Sequence, residues 1–207
     1  MRPLPVSLCI LVLALAAPLA ADTKFVDTFK APDAANITFF GQKVAALVVS
    51  NDMGLRESAE TQLATELTGR GMRGVAAFRI VPVPETRNVA KVREFLEKSE
   101  TQAVVVLRPV SLTSERSPTM PVMWNSGYYG GLYDYWGYGW GAVYEFGPPR
   151  IDTVLVTETL IYSVPTGKLL WAAVTRTKNP KEAQAYVKDL VKDTVKEMKK
   201  QGLLGGP

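Results

Sequence analysis

No histidine occurs anywhere in the 207-residue sequence, and its one cysteine is Cys9. Cys9 lies in an apolar amino-terminal run, Val6 to Ala17, which follows a single positive charge at Arg2 and precedes small residues at Ala20 and Ala21. That is the three-part layout of a secretory signal peptide. Residues 1–21 are therefore expected to be removed, by cleavage after Ala20 or Ala21. The run is shorter than the roughly 20 residues a spanning helix needs, and the polar Asp22-Thr23-Lys24 follows it directly. An uncleaved membrane anchor is the competing reading. Cys9 sits early in the apolar core behind Leu8, not after it behind small residues, so lipidation is not expected. With Cys9 removed, the chain has neither thiol nor imidazole. Disulfides, thiolate nucleophiles, histidine bases and nearly all zinc, copper and haem sites are then excluded. No EF-hand-like acidic loop is present either, so no metal and no cofactor is expected.

Charge of one sign is also scarce. The formal net charge of +4 falls to +3 without Arg2, and the excess is spread along the chain, which argues against a nucleic-acid partner. No Lys or Arg occurs between Arg116 and Arg150. Within that gap Trp124 to Phe146 reads WNSGYYGGLYDYWGYGWGAVYEF, holding ten of the chain's nineteen aromatic residues interleaved with six glycines. So much glycine predicts neither a regular helix nor a charged linker. Its aromatics Trp124, Tyr128, Tyr129, Tyr133, Tyr135, Trp136, Tyr138 and Trp140 offer flat apolar faces with polar edges. Such faces stack on sugars, grip a partner's side chains or rest at a membrane interface. Two plainer readings stand beside binding: a self-packed flap over one side of a sheet, or a disordered low-complexity stretch.

Around this stretch the pattern is α/β. Residues 22–42 read as irregular, wrapping the domain edge. Lys43 to Ser50, KVAALVVS, is a continuous apolar run of strand length. The cluster Ser50-Asn51-Asp52 then caps a helix with Leu55, Ala59, Leu63 and Leu67 at i+4 spacing, closed by Gly69-Arg70-Gly71. Val75 to Val81 predicts a strand and Asn88 to Ser99 a helix. Gln102 to Leu112 predicts a further strand, whose Pro109 marks an edge or a bend. Beyond Pro148-Pro149, Ile151 to Ser163 and Lys168 to Arg176 form a predicted antiparallel hairpin about Val164-Pro165-Thr166-Gly167. Asn179-Pro180-Lys181-Glu182 then opens a last helix with Ala183, Val187, Leu190, Val191, Thr194 and Met198 on one face. Its mixed Lys and Asp/Glu residues make a solvated outer face. The expectation is a single α/β domain, 43–204: βαβαβ, a β-hairpin and a C-terminal helix, on a mixed sheet with helices packed on it and an aromatic insertion at 117–149. A chain this long buries about 70% of its unfolded surface as one domain.

Polar candidates for chemistry are few. The SNDMGLRE loop after the first strand has neither GxGxxG nor a P-loop; its Asn51 and Asp52 read as helix caps, leaving Arg56 as a weak anion-binding candidate. Paired carboxylates can hydrolyse glycosides without histidine, which brings in Asp134, Glu145, Asp152 and Glu158, though nothing fixes two of them at catalytic separation. Thr166-Gly167-Lys168 serves the turn, and Trp171 reads as sheet packing.

Thr159-Leu160-Ile161-Tyr162, followed by Thr166-Gly167-Lys168-Leu169-Leu170-Trp171, resembles the T-x-L-Y … T-G-K-L-x-W strands of bacterial envelope proteins and lipoproteins of unknown function. Many of those also carry a Tyr/Trp/Gly-rich loop before the hairpin and end near a G-L-L such as Gly202-Leu203-Leu204. The element order is similar to the TolB amino-terminal domain and its CsgG-like and LpoB-like relatives. The resemblance covers Lys43 to Leu204 and carries over no catalytic residue, and this chain lacks the lipobox of the lipoprotein members. The expectation is an exported protein of the periplasm or outer envelope, without enzymatic activity, acting as an interaction or assembly module. Its partner would be an envelope protein or, alternatively, a peptidoglycan or polysaccharide glycan bound by the aromatics; an acid-pair hydrolase is the remaining reading. No transmembrane segment is expected after signal cleavage.

Overall fold

The computed structural model describes residues 22–32, 34, 38–114, 131–141, 153–180 and 182–203. Six strands form one mixed sheet: β1 (Asp22–Lys30), β2 (Lys43–Val48), β3 (Arg73–Ala76), β4 (Ala103–Ser114), β5 (Thr153–Ser163) and β6 (Leu169–Lys178), in the order β1-β6-β5-β4-β2-β3. Four helices cover it: α1 (Met53–Thr68), α2 (Val89–Lys98), α3 (Leu132–Gly141) and α4 (Ala183–Lys200). β2 pairs in parallel with β3 and β4, and the remaining pairs are antiparallel. Parallel strands joined through a helix take right-handed crossovers. The chain moves outward from β2 to β3 and then back past β2 to β4, so one hand sends α1 and α2 to opposite faces. Accordingly α1 and α4 pack on one apolar cluster and α2 and α3 on the other. Among the described residues no helix is long and apolar enough to cross a membrane.

Local chemistry accounts for the element ends. Asp52 caps α1 by accepting from Leu55 N at 3.0 Å, and Asn88 caps α2 by accepting from Lys91 N at 3.2 Å, each relieving an orphan donor of the first turn. β2 stops opposite Leu107, so Pro109, lying beyond it on β4, interrupts no ladder on that side; a bulge at Pro109/Ser111 marks the bend. The β3 edge runs close to α1. A Cβ at Gly74 would fall inside the Ala64 carbonyl oxygen, and Thr68 Oγ1 joins the two elements by donating to that oxygen and accepting from Gly74 N.

Four expectations are corrected. Residues 22–42 do not begin irregularly: Asp22–Lys30 is an edge strand on β6, bulged between Phe25 and Asp27. Its period-2 pattern is hidden because the bulge shifts the alternation at Val26. The strand expected over Val75–Val81 lies at Arg73–Ala76 and gives way to a 3-10 turn at Ala77–Arg79. The last helix begins later than Asn179. Asn179 takes φ 45°, turning the chain out of β6, and Glu182 becomes the N-cap residue without a side-chain cap bond. Asparagine tolerates that left-handed geometry as few non-glycine residues do. Finally, part of the glycine-rich aromatic stretch is helical, as α3.

Candidate functional site

The aromatic stretch is an insertion between β4 and β5, and its ends are held together: Ser114 pairs with Thr153. Gly131 makes an isolated bridge to Lys168, at the β5–β6 turn. That turn lies at the far end of β5 from Thr153, so Ser114 and Gly131 stand at opposite ends of a strand of 11 residues, about 35 Å apart. Gly167, at φ +67°, shapes the turn, and its carbonyl accepts from Leu132 N at 2.7 Å. The turn thus supplies an acceptor for one orphan donor of α3. From there α3 runs back over the sheet face that α2 also covers.

Three aromatics of α3 point into the protein. Tyr135 and Trp136 are each 1% exposed and Tyr133 is 8% exposed. Trp136 Nε1 donates to the Thr86 carbonyl at 2.7 Å, tying α3 to the chain just before α2. Arg93 of α2 places its guanidinium carbon 4.1 Å from the Tyr133 ring centroid, a cation–π contact. The Tyr133 hydroxyl has no hydrogen-bond partner among the described residues. Tyr135 tilts against Tyr162 of β5, with centroids 5.7 Å apart.

Beneath Tyr135 lies a buried ion pair that crosses the β4–β5 ladder. Arg108 and Glu158 are register partners and are 3% and 0% exposed. Arg108 donates to Glu158 Oε2 from Nε at 2.9 Å and from Nη2 at 2.8 Å, and the Tyr135 hydroxyl donates to the same oxygen at 3.0 Å. Burial, with the Glu158 charge beside it, pushes the Tyr135 phenol well above its ordinary value, so it stays a donor. A carboxyl held by two neighbours in a closed interior anchors α3 and is not open to a substrate. The sequence does carry a signal for this pair: two opposite charges, Arg108 and Glu158, interrupt otherwise apolar or threonine-rich strand runs. What it lacks is register, which alone places them side by side.

A second buried pair underlies β2. Arg56, considered above for anion binding, instead turns inward on α1 and donates from Nε to Glu60 Oε1 at 2.8 Å. Glu60 also accepts from Val48 N at 3.2 Å and Phe78 N at 2.7 Å, so it joins β2, α1 and the 3-10 turn. Arg56 therefore serves the core and is withdrawn as an exposed anion site.

Of the eight aromatics singled out, Tyr133, Tyr135 and Trp136 are brought together on the α2/α3 side of the sheet, as a self-packed flap would place them. Trp124, Tyr128 and Tyr129 lie outside the described residues, as do the side chains of Tyr138 and Trp140. Among the carboxylates, Asp134 is exposed on α3 and Glu158 is buried; Glu145 and Asp152 lie outside the described residues. Trp171 is fully buried, and its Nε1 donates to Gln201 Oε1 at 2.8 Å.

Fold and site together define a single mixed α/β domain in which α3, within the aromatic insertion, packs on one sheet face. The sequence matches no family model and no curated protein sequence. Among solved structures, it is similar to the PelC dodecamer from Paraburkholderia phytofirmans at 12% identity and a TM-score of 0.46, over 91% of this chain and 100% of that one. It is also similar to lipoprotein GNA1162 from Neisseria meningitidis at 11% identity and a TM-score of 0.39, over 77% of this chain and 96% of that one.

Proposed function

We propose that this chain is an exported, non-enzymatic module of the bacterial cell envelope, and that its aromatic insertion holds an envelope protein. The observation that carries this reading is how the insertion is built. It is closed at Ser114 and Thr153, pinned at Gly131 and fixed in its middle by Tyr135 and Trp136. Fixed points of this kind lower the ordering cost that a glycine-rich stretch incurs on binding. Trp124, Tyr128 and Tyr129 are the contact residues in this reading, because rigid aromatic side chains dominate partner interfaces. Export rests on the signal-peptide layout of residues 1–21. The non-enzymatic reading rests on the lack of histidine and cysteine after residue 21 and on the engagement of Glu158 by Arg108 and Tyr135.

The test is cross-linking in intact envelopes. Replacing Trp124, Tyr128 and Tyr129 together by Ala is expected to abolish the cross-linked species while leaving thermal unfolding unchanged. Undiminished cross-linking by this variant overturns the proposal. Pelleting of the protein with isolated cell wall, lost in the same variant, would transfer the site to a glycan.

A further inference from the structure

Along the exposed side of α1 runs an open groove of about 500 Å³, lined by Glu57, Ser58, Thr61 and Gln62 of α1, Phe78 of the 3-10 turn and Gln184 of α4. Ligand sites span about 300–1,000 Å³, so the size is that of a small-molecule site. Phe78, half-buried, is held in place: its backbone N donates to Glu60 Oε2 at 2.7 Å, and the Arg79 guanidinium carbon lies 5.6 Å from its ring centroid. The buried Arg56–Glu60 pair thus fixes the turn that brings Phe78 beside α1. The polar lining is ordered as well. Gln184 Nε2 donates to Ser58 Oγ at 2.6 Å, and Gln62 Nε2 donates to Glu66 Oε1 at 3.2 Å. Each amide keeps its carbonyl oxygen as an acceptor, and Ser58 keeps its hydroxyl hydrogen as a donor. Glu57 is exposed, and its carboxylate has no hydrogen bond or ion pair among the described residues.

We infer that this groove is a binding site for a neutral glycan. A sugar ring offers an apolar C–H face and a rim of hydroxyls, so it is recognised by one aromatic ring together with a few placed polar groups. Phe78 is the aromatic ring here, and Glu57, Gln62, Gln184 and Ser58 are the polar groups. The rim hydroxyls donate to the Glu57 carboxylate and the two amide oxygens, and one accepts from Ser58. Because both glutamines and the Phe78 backbone are already hydrogen-bonded, little side-chain freedom is lost on binding. Other ligand classes fit less well. No Lys or Arg is among the lining residues, which disfavours an anion, and the mostly polar lining disfavours an apolar peptide or lipid chain. None of these residues belongs to the aromatic insertion, so the inference is independent of the partner proposed above.

Titration of the purified protein with cellotetraose and with chitotetraose, followed by amide chemical shifts, tests it. At least one of the two is expected to move the amides of Ser58, Thr61, Phe78 and Gln184 together and saturably. Phe78→Ala should weaken that binding roughly ten-fold through loss of the stacking ring. Glu57→Ala should weaken it about ten-fold or more through loss of a charged acceptor. Glu57 is exposed and unpaired, so this variant folds even if Phe78→Ala does not. The variant with Trp124, Tyr128 and Tyr129 replaced by Ala should bind both sugars as the unaltered protein does, which separates this site from the insertion. Absence of saturable shifts at these amides with both sugars overturns the inference. So does binding that survives Glu57→Ala, or a response of the same amides to spermidine alone, which would make the groove a cation site.

Discussion

Tyr135 is where the aromatic insertion and the sheet meet chemically, since its ring packs on Tyr162 while its hydroxyl donates to Glu158. Removing one partner from a buried, charged acceptor costs more than the mean hydrogen bond because the acceptor stays desolvated. Tyr135→Phe keeps the ring and deletes only the donor. It is expected to lower stability by about 1.5–3 kcal/mol in urea unfolding, with the slope unchanged because the same surface is exposed. A loss within measurement error would show that the hydroxyl does not hold Glu158. Tyr133, Tyr135 and Trp136 are identifiable in the sequence as adhesive side chains, but the direction in which they point depends on contacts with residues as distant as Thr86 and Glu158.

At the scale of elements, the readable parts were those with a strong local pattern. β2, β4 and the β5–β6 hairpin follow from apolar runs and a Pro-Thr-Gly turn, while α1 follows from its i+4 spacing and from Asp52 as cap, and α2 lies within the helix expected over Asn88 to Ser99. The unreadable parts are those that tertiary contacts override. α3 contains Gly137, Gly139 and Gly141, which disfavour a helix, yet Leu132, Tyr135 and Trp136 bury against the sheet and compensate. Tyr186 was likewise missed on α4, because its ring belongs to the buried stripe while its hydroxyl belongs to a threonine cluster of β5 and β6. Burial pushes the Tyr186 phenol up to about 12 even though neighbouring threonines favour ionisation. An ordinary phenol titrates near 10. Since the folded value is raised, the stability from keeping Tyr186 protonated is fully present below pH 10 and is lost as pH rises through about 12. Tyr186→Phe is therefore expected to flatten part of the alkaline fall in unfolding free energy between those values. An unchanged pH profile would mean that Tyr186 is not the group linked to it. Tyr135 contributes with the same sign, so the single variant should remove only part of the slope.

The whole molecule divides into two faces of different character. On one, α1 and α4 cover the sheet with a mixed apolar and hydroxyl seam; on the other, α2 and the aromatic insertion cover it with rings and a buried ion pair. The architecture was legible from element order, because alternating strands and helices followed by a hairpin leave few arrangements. The docking of the insertion was not legible, since nothing local in the sequence announces that Gly131 will meet Lys168. That docking is what makes the insertion an anchored platform, and hydrogen exchange on the purified protein tests it directly. The Leu132 amide, donated to Gly167, and the Tyr135 amide, donated to Gly131, are the ones to follow. Both are expected to be protected and to open together with β5 and β6 as denaturant rises, as one cooperative unit. Exchange of these amides at the rate of an unstructured peptide, with β4, β5 and β6 still protected, would contradict the anchored insertion and remove the basis of the proposed binding surface.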